Sequence, residues 1–105
     1  MADITVRENP AENRFEITVD GALAGFTAYE LRGETYALMH TEIGEEFGGQ
    51  GLGSTLIRST LDDLRGRGKQ VLPYCPFVRK FMVKNPDYAE LVPPSHRSIF
   101  GLKVA

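Results

Sequence analysis

The sequence predicts an α+β fold, with a mixed, mostly antiparallel sheet and elements in the order β-β-β-β-α-β-α. Three observations carry this. Up to Ile43 apolar and polar residues alternate between turn-forming residues; a glycine-crowded segment then switches the apolar period to that of a helix; and a short apolar run separates this helix from a second one.

Residues 4–8 alternate Ile-Thr-Val-Arg, and over residues 14–20 Phe15, Ile17 and Val19 alternate with polar neighbours, the pattern of half-buried strands. Residues 10–13 supply the turn between them, and Asp20-Gly21 the next, because glycine accepts the positive φ of a tight hairpin. A third strand over 23–31 leads through Arg32-Gly33-Glu34 into a fourth over 35–43. Leu52, Leu56, Ile57, Leu61 and Leu64 then recur at helical spacing; basic residues near Arg65 and glycines at 66 and 68 suit the helix end. A strand over 70–74 follows. Pro76 opens the second helix, in which Phe77, Val78, Phe81 and Met82 recur at one-face spacing until Asn85-Pro86 stops it. The tail over 92–105 reads equally as a packed tail, a short strand or an arm for a partner.

A chain of 105 residues is the size of one domain, here with its core over 4–91. Hydrophobic residues at 42% and charged residues at 25% are an ordinary globular mixture. The net charge of −2 from 12 basic and 14 acidic side chains gives no run that would gather nucleic acid. No apolar stretch approaches the roughly 20 residues that cross a bilayer, and the start is no signal peptide, so a cytoplasmic protein is expected. One cysteine and two histidines make a poor structural zinc site, so no metal is expected.

A strand leading into Gly48-Gly49-Gln50-Gly51-Leu52-Gly53-Ser54 and then a helix points free backbone N–H groups and a positive helix end at an anion. A Walker loop needs Lys after its last glycine, but Gln50 follows Gly49. A dinucleotide fingerprint counted from Gly49 meets Ser54 where glycine belongs. The Gly48-Gly49-Gln50 tripeptide of peptide-release factors lacks its basic RNA-binding surroundings. The loop resembles the motif of GNAT acetyltransferases: Gln or Arg, two residues, Gly, one residue, then Gly or Ala, with Gly48 replacing the first position. Met39-His40-Thr41-Glu42-Ile43 before it and Leu72-Pro73-Tyr74-Cys75-Pro76-Phe77-Val78 after it are similar to the small stand-alone members of that family.

The resemblance covers residues 4–91 and implies a GNAT fold binding acetyl-CoA as co-substrate. It assigns the pantetheine arm to the backbone of Thr41 and Ile43, the pyrophosphate to Gly48, Gly49, Gln50, Gly51, Leu52, Gly53 and Ser54, and the thioester to the neighbourhood of Tyr74 and Cys75. Lys80, with Arg79 and Lys84, lies where positive charge meets the adenosine phosphates or simply forms the wet face of the second helix.

Cys75 stands at the start of that helix, where the dipole favours a thiolate; it reads as a nucleophile, as an acid for the departing CoA thiolate, or as a small buried hydrophobe. His40 is a candidate general base and Glu42 its partner or alternative. If the fourth strand buries Ala37, Met39 and Thr41 on one face, His40 and Glu42 share the other. Two functions follow: an N-acetyltransferase whose open acceptor site suits a protein, peptide or polyamine, or a non-catalytic acyl-CoA-binding or interaction module. A monomer or weak homodimer is expected.

Overall fold

The structure, a computed structural model, describes residues 3–102. Five strands, β1 (Ile4–Asn9), β2 (Arg14–Val19), β3 (Ala22–Arg32), β4 (Thr35–Ile43) and β5 (Gln70–Pro73), form one sheet in chain order. The first four pair antiparallel; β5 joins β4 in parallel after the crossover helix α1 (Leu52–Gly66), as the element order predicts. Helix α2 (Pro76–Lys84) follows β5, and short 3₁₀ turns carry the chain to Phe100.

Helix α1 exists because its apolar side chains form one stripe: Leu52, Leu56, Ile57, Leu61 and Leu64 are all buried against one face of the sheet, where Phe15, Ile17 and Leu38 meet them. Each such leucine contributes about 1.5–3 kcal/mol by leaving water. The helix runs through Gly66, within a residue of the end that the sequence predicts, and Gly68 is the glycine that closes it. Gly68 takes the left-handed conformation (φ 69°), its N–H donates to the Arg65 carbonyl (3.0 Å), and the Lys69 N–H donates to the Leu64 carbonyl (2.9 Å).

The far end of α1 is braced to the sheet by a polar cluster. The Glu8 carboxylate of β1 accepts from the Tyr29 hydroxyl and from the Arg67 guanidinium (3.0 Å), which also pairs with Asp63 (2.9 Å). Tyr29 and Tyr36 meet edge to face at 4.7 Å beside it.

The segment after Leu91, left open between three readings, is a packed tail: Val92, Phe100 and Leu102 are buried in the same core. The Arg97 Nε–H donates to the Val92 carbonyl (2.9 Å), and the Leu102 N–H to the Arg97 carbonyl (2.9 Å), which closes the segment on itself. Of that segment, residues 103–105 lie outside the described residues.

Candidate functional site: a cleft between two strands

β4 and β5 are paired only from Thr35–Gln70 to Leu38–Pro73. The Cys75 N–H adds one more link, to the Leu38 carbonyl (2.8 Å), and the chain then turns away into α2. From Met39 to Ile43, therefore, β4 has no strand partner on that side. The backbone amides exposed there form a short free edge facing a cleft, the arrangement in which an extended amide-containing ligand pairs with a strand.

The glycine loop opens beside this edge. Gly49 and Gly51 both have positive φ (79° and 71°), and Gly51 is the residue that caps α1, with no side chain hydrogen-bonded across the helix start. The first N–H bonded within the helix is that of Thr55, to the Gly51 carbonyl (3.2 Å), so the amides of Leu52, Gly53 and Ser54 point outward at the positive helix end. The loop positions divide by role. Leu52 places its side chain in the core and offers only its N–H, whereas Gly48, Gly49, Gln50, Gly51 and Ser54 are exposed. A Cβ on Gly53 would lie 2.7 Å from the Phe77 ring, so this glycine is where α1 and α2 approach each other.

A β-bulge decides which side chains face the cleft. Between Tyr29↔Leu38 and Ala28↔His40 the register of β3 and β4 shifts and leaves Met39 unpaired. The expectation that Ala37, Met39 and Thr41 share a buried face is corrected: Ala37 is buried, but Met39 is 41% exposed, and the bulge puts Ala37 on the same side as His40. The pairing of His40 with Glu42 survives because both lie beyond the bulge. His40 Nε2 is 3.5 Å from Glu42 Oε2 on the open face of the sheet, with the Phe26 ring 6.1 Å from the imidazole.

Thr41 points the other way, toward α1. Its hydroxyl accepts from the Cys75 S–H (3.3 Å) and lies 3.0 Å from the hydroxyl of Thr27, the residue opposite it on β3. Cys75 is buried at 3% exposure and is the residue immediately before α2. Cys75 and the His40–Glu42 pair thus stand on opposite faces of β4, with the cleft between them. Tyr74, half-turned to solvent, is held by the Arg32 guanidinium, whose Nη1–H donates to the phenol oxygen (3.1 Å), and by edge contact with Phe100 at 5.2 Å.

The sequence pattern of the GCN5-related N-acetyl-transferases matches residues 14–91, most of the chain and all of the cleft. This chain belongs to that family. Acetyl transfer is the activity that membership carries. A GCN5-like protein from Staphylococcus aureus, solved in solution by NMR, shares the fold with a TM-score of 0.66 over 89% of this chain and 91% of its own, at 22% identity. No curated protein sequence matches this one significantly.

Within this acetyltransferase the basic residues sort by position. Arg14, Arg32, Arg65, Arg67 and Lys69 are ion-paired, whereas Arg7 and Arg97, and with them the four residues Arg58, Arg79, Lys80 and Lys84, have no carboxylate partner among the described residues. Those four cluster about α2. A hollow of about 230 Å³ between α1 and α2 is lined by Ser54, Arg58, Phe77, Lys80, Phe81, Lys84 and Asn85. A larger one of about 620 Å³ is lined by Pro76, Arg79, Lys80, Val83, Lys84 and Phe100, so Lys80 and Lys84 border both. The smaller one adjoins the free amides of the loop through Ser54. Thr27, Arg58 and Asn85 escaped sequence reasoning; only the bulged register reveals the first, and only the packing of α2 on α1 the other two. Among the described residues no three His, Cys, Asp or Glu side chains converge as metal ligands, and no helix is long and apolar enough to cross a membrane.

Proposed function

We propose that this protein transfers the acetyl group of acetyl-CoA to an amine presented by a protein, a peptide or a polyamine. The observation that carries the reading is the unpaired edge of β4 from Met39 to Ile43, opening beside the uncapped start of α1. The backbone of Thr41 and Ile43 pairs with the amides of the pantetheine arm. The N–H groups from Gly49 to Ser54 take the pyrophosphate, so the loss of a long polar side chain at Gly48 leaves the cradle intact. Lys80, with Arg58 and Lys84, meets the remaining phosphate charge.

The amine approaches from the open face, and its nitrogen attacks the thioester carbon. His40, with Glu42 against it, takes the proton that the amine loses. As the tetrahedral centre collapses the carbon–sulfur bond breaks, and the departing thiolate takes the Cys75 proton from the other face. Cys75 then recovers a proton from solvent. Burial of Cys75 and its donated hydrogen bond favour this acid role over an acetyl-cysteine. Tyr74, fixed by Arg32 and Phe100, walls the cleft. The protein works in the cytoplasm as a monomer or weak homodimer.

The test is a titration with acetyl-CoA, with intact mass recorded before and after, for the native protein and for Cys75→Ala. Saturable binding, no mass increment and slowed transfer in Cys75→Ala are expected. An acetyl increment that disappears in Cys75→Ala replaces the acid role with a covalent one; binding without turnover makes the protein a passive acyl-CoA binder; no binding overturns the reading.

A further inference from the structure

Thr27 is fully buried on β3, and the Thr41 hydroxyl is its only side-chain partner among the described residues. A buried hydroxyl with a single hydroxyl neighbour has two arrangements: it donates to that neighbour or accepts from it. Thr41 is in turn the acceptor of the Cys75 S–H. The three side chains therefore form a row, Cys75–Thr41–Thr27, in which the half-buried Thr41 links the buried Cys75 to the fully buried Thr27. While Cys75 carries its proton, Thr41 accepts from sulfur and donates its own O–H to the Thr27 oxygen. Once Cys75 has given that proton up, the two hydroxyls can turn so that Thr41 donates to the thiolate and Thr27 donates to Thr41. No proton leaves either threonine in this exchange. Each state keeps two hydrogen bonds, and the charged state gains the stronger pair, because a bond to an ionised acceptor is strengthened by the one behind it.

We infer that Thr27 is a positioning residue for Cys75: acting only through Thr41, it lets one buried thiol be satisfied both as donor and as thiolate. This rests on the acid role proposed above for Cys75, yet the row can be tested without acetyl transfer.

Thr27→Val keeps the shape of the side chain and removes the hydroxyl; Thr27→Ser restores the hydroxyl without the methyl group. The rate of Cys75 alkylation by iodoacetamide at about pH 8, followed by intact mass, reads how readily the thiolate forms. Thr27→Val is expected to slow alkylation about tenfold, and Thr27→Ser to return it to within about twofold of native, with Tm recorded for both variants. A native or faster rate in Thr27→Val, or a Thr27→Ser rate as slow as that of Thr27→Val, overturns the inference. Slowed alkylation with unchanged kcat for acetyl transfer leaves the row standing and removes Cys75 from the reaction, so the two readings fail separately.

Discussion

His40 and Glu42 face each other at 3.5 Å on the open side of β4, while Thr41 between them turns through to the opposite side. Two residues of one strand thus face the open side of the sheet and the intervening one faces Cys75. His40→Ala is expected to lower kcat by roughly a hundredfold or more, the usual contribution of a positioned general base. Glu42→Gln, which only removes the partner of the imidazole, is expected to cost about tenfold. Acetyl-CoA affinity, measured by calorimetry on the same variants, stays native because neither side chain reaches the loop. A loss of affinity equal to the loss of rate sinks the assignment.

The bulge that makes this arrangement possible is also what the sequence conceals. Counting back from the Arg32-Gly33-Glu34 turn in strict register sets Thr27 opposite His40, which would bury the imidazole against α1. The shift at Met39 moves Thr27 opposite Thr41 and returns His40 to the open face. A strand pattern of period two cannot show a one-residue insertion, since Met39 is as apolar as its buried neighbours. The glycine loop and helix stripe were legible because each rests on local chemistry: positive φ at Gly49 and Gly51, and one apolar face from Leu52 to Leu64. The tail was not, because its few apolar residues follow neither period and are buried by tertiary packing alone.

Gly53 illustrates a residue whose motif role and packing role differ. A methyl group there would press on the Phe77 ring, so Gly53→Ala is expected to destabilise the protein by about 1–3 kcal/mol in urea unfolding. In a Phe77→Ala background the same change becomes neutral or stabilising, because alanine favours the helix over glycine by up to about 1 kcal/mol. If Gly53→Ala costs the same in both backgrounds, the ring is not the reason for the glycine.

The cations around α2 give a prediction about salt. Lys80→Gln and Lys84→Gln are each expected to weaken acetyl-CoA binding about two- to fivefold at low ionic strength, and the difference from native to shrink as salt rises, since both lysines are solvent-facing. Dephospho-CoA, which carries less charge, should show a smaller effect of the same substitutions. Lysine variants that bind acetyl-CoA like the native protein at low salt would remove these side chains from the site.

The tyrosines set the alkaline limit of the fold. Burial and the carboxylate it donates to raise the Tyr29 phenol far above its ordinary 10.0, and burial with the bond to Asp62 (2.7 Å) raises that of Tyr88. Ionising either in the folded protein sets a phenolate against a carboxylate. In the unfolded chain both ionise near 10, so below that pH the two states hold the same protons and stability is unaffected. Above it the unfolded chain sheds protons that the folded one keeps, and stability falls with rising pH. Phenolate absorbance followed through an alkaline titration is expected to show Tyr29 and Tyr88 ionising late, together with the loss of the far-ultraviolet dichroism. Tyr29→Phe costs about 1 kcal/mol at neutral pH by leaving Glu8 one donor short, but it removes one of the two late groups, so its stability declines less steeply above pH 10. An alkaline slope unchanged in Tyr29→Phe would mean that the Glu8 cluster does not control the transition, and Tyr88→Phe then becomes the variant that must flatten it.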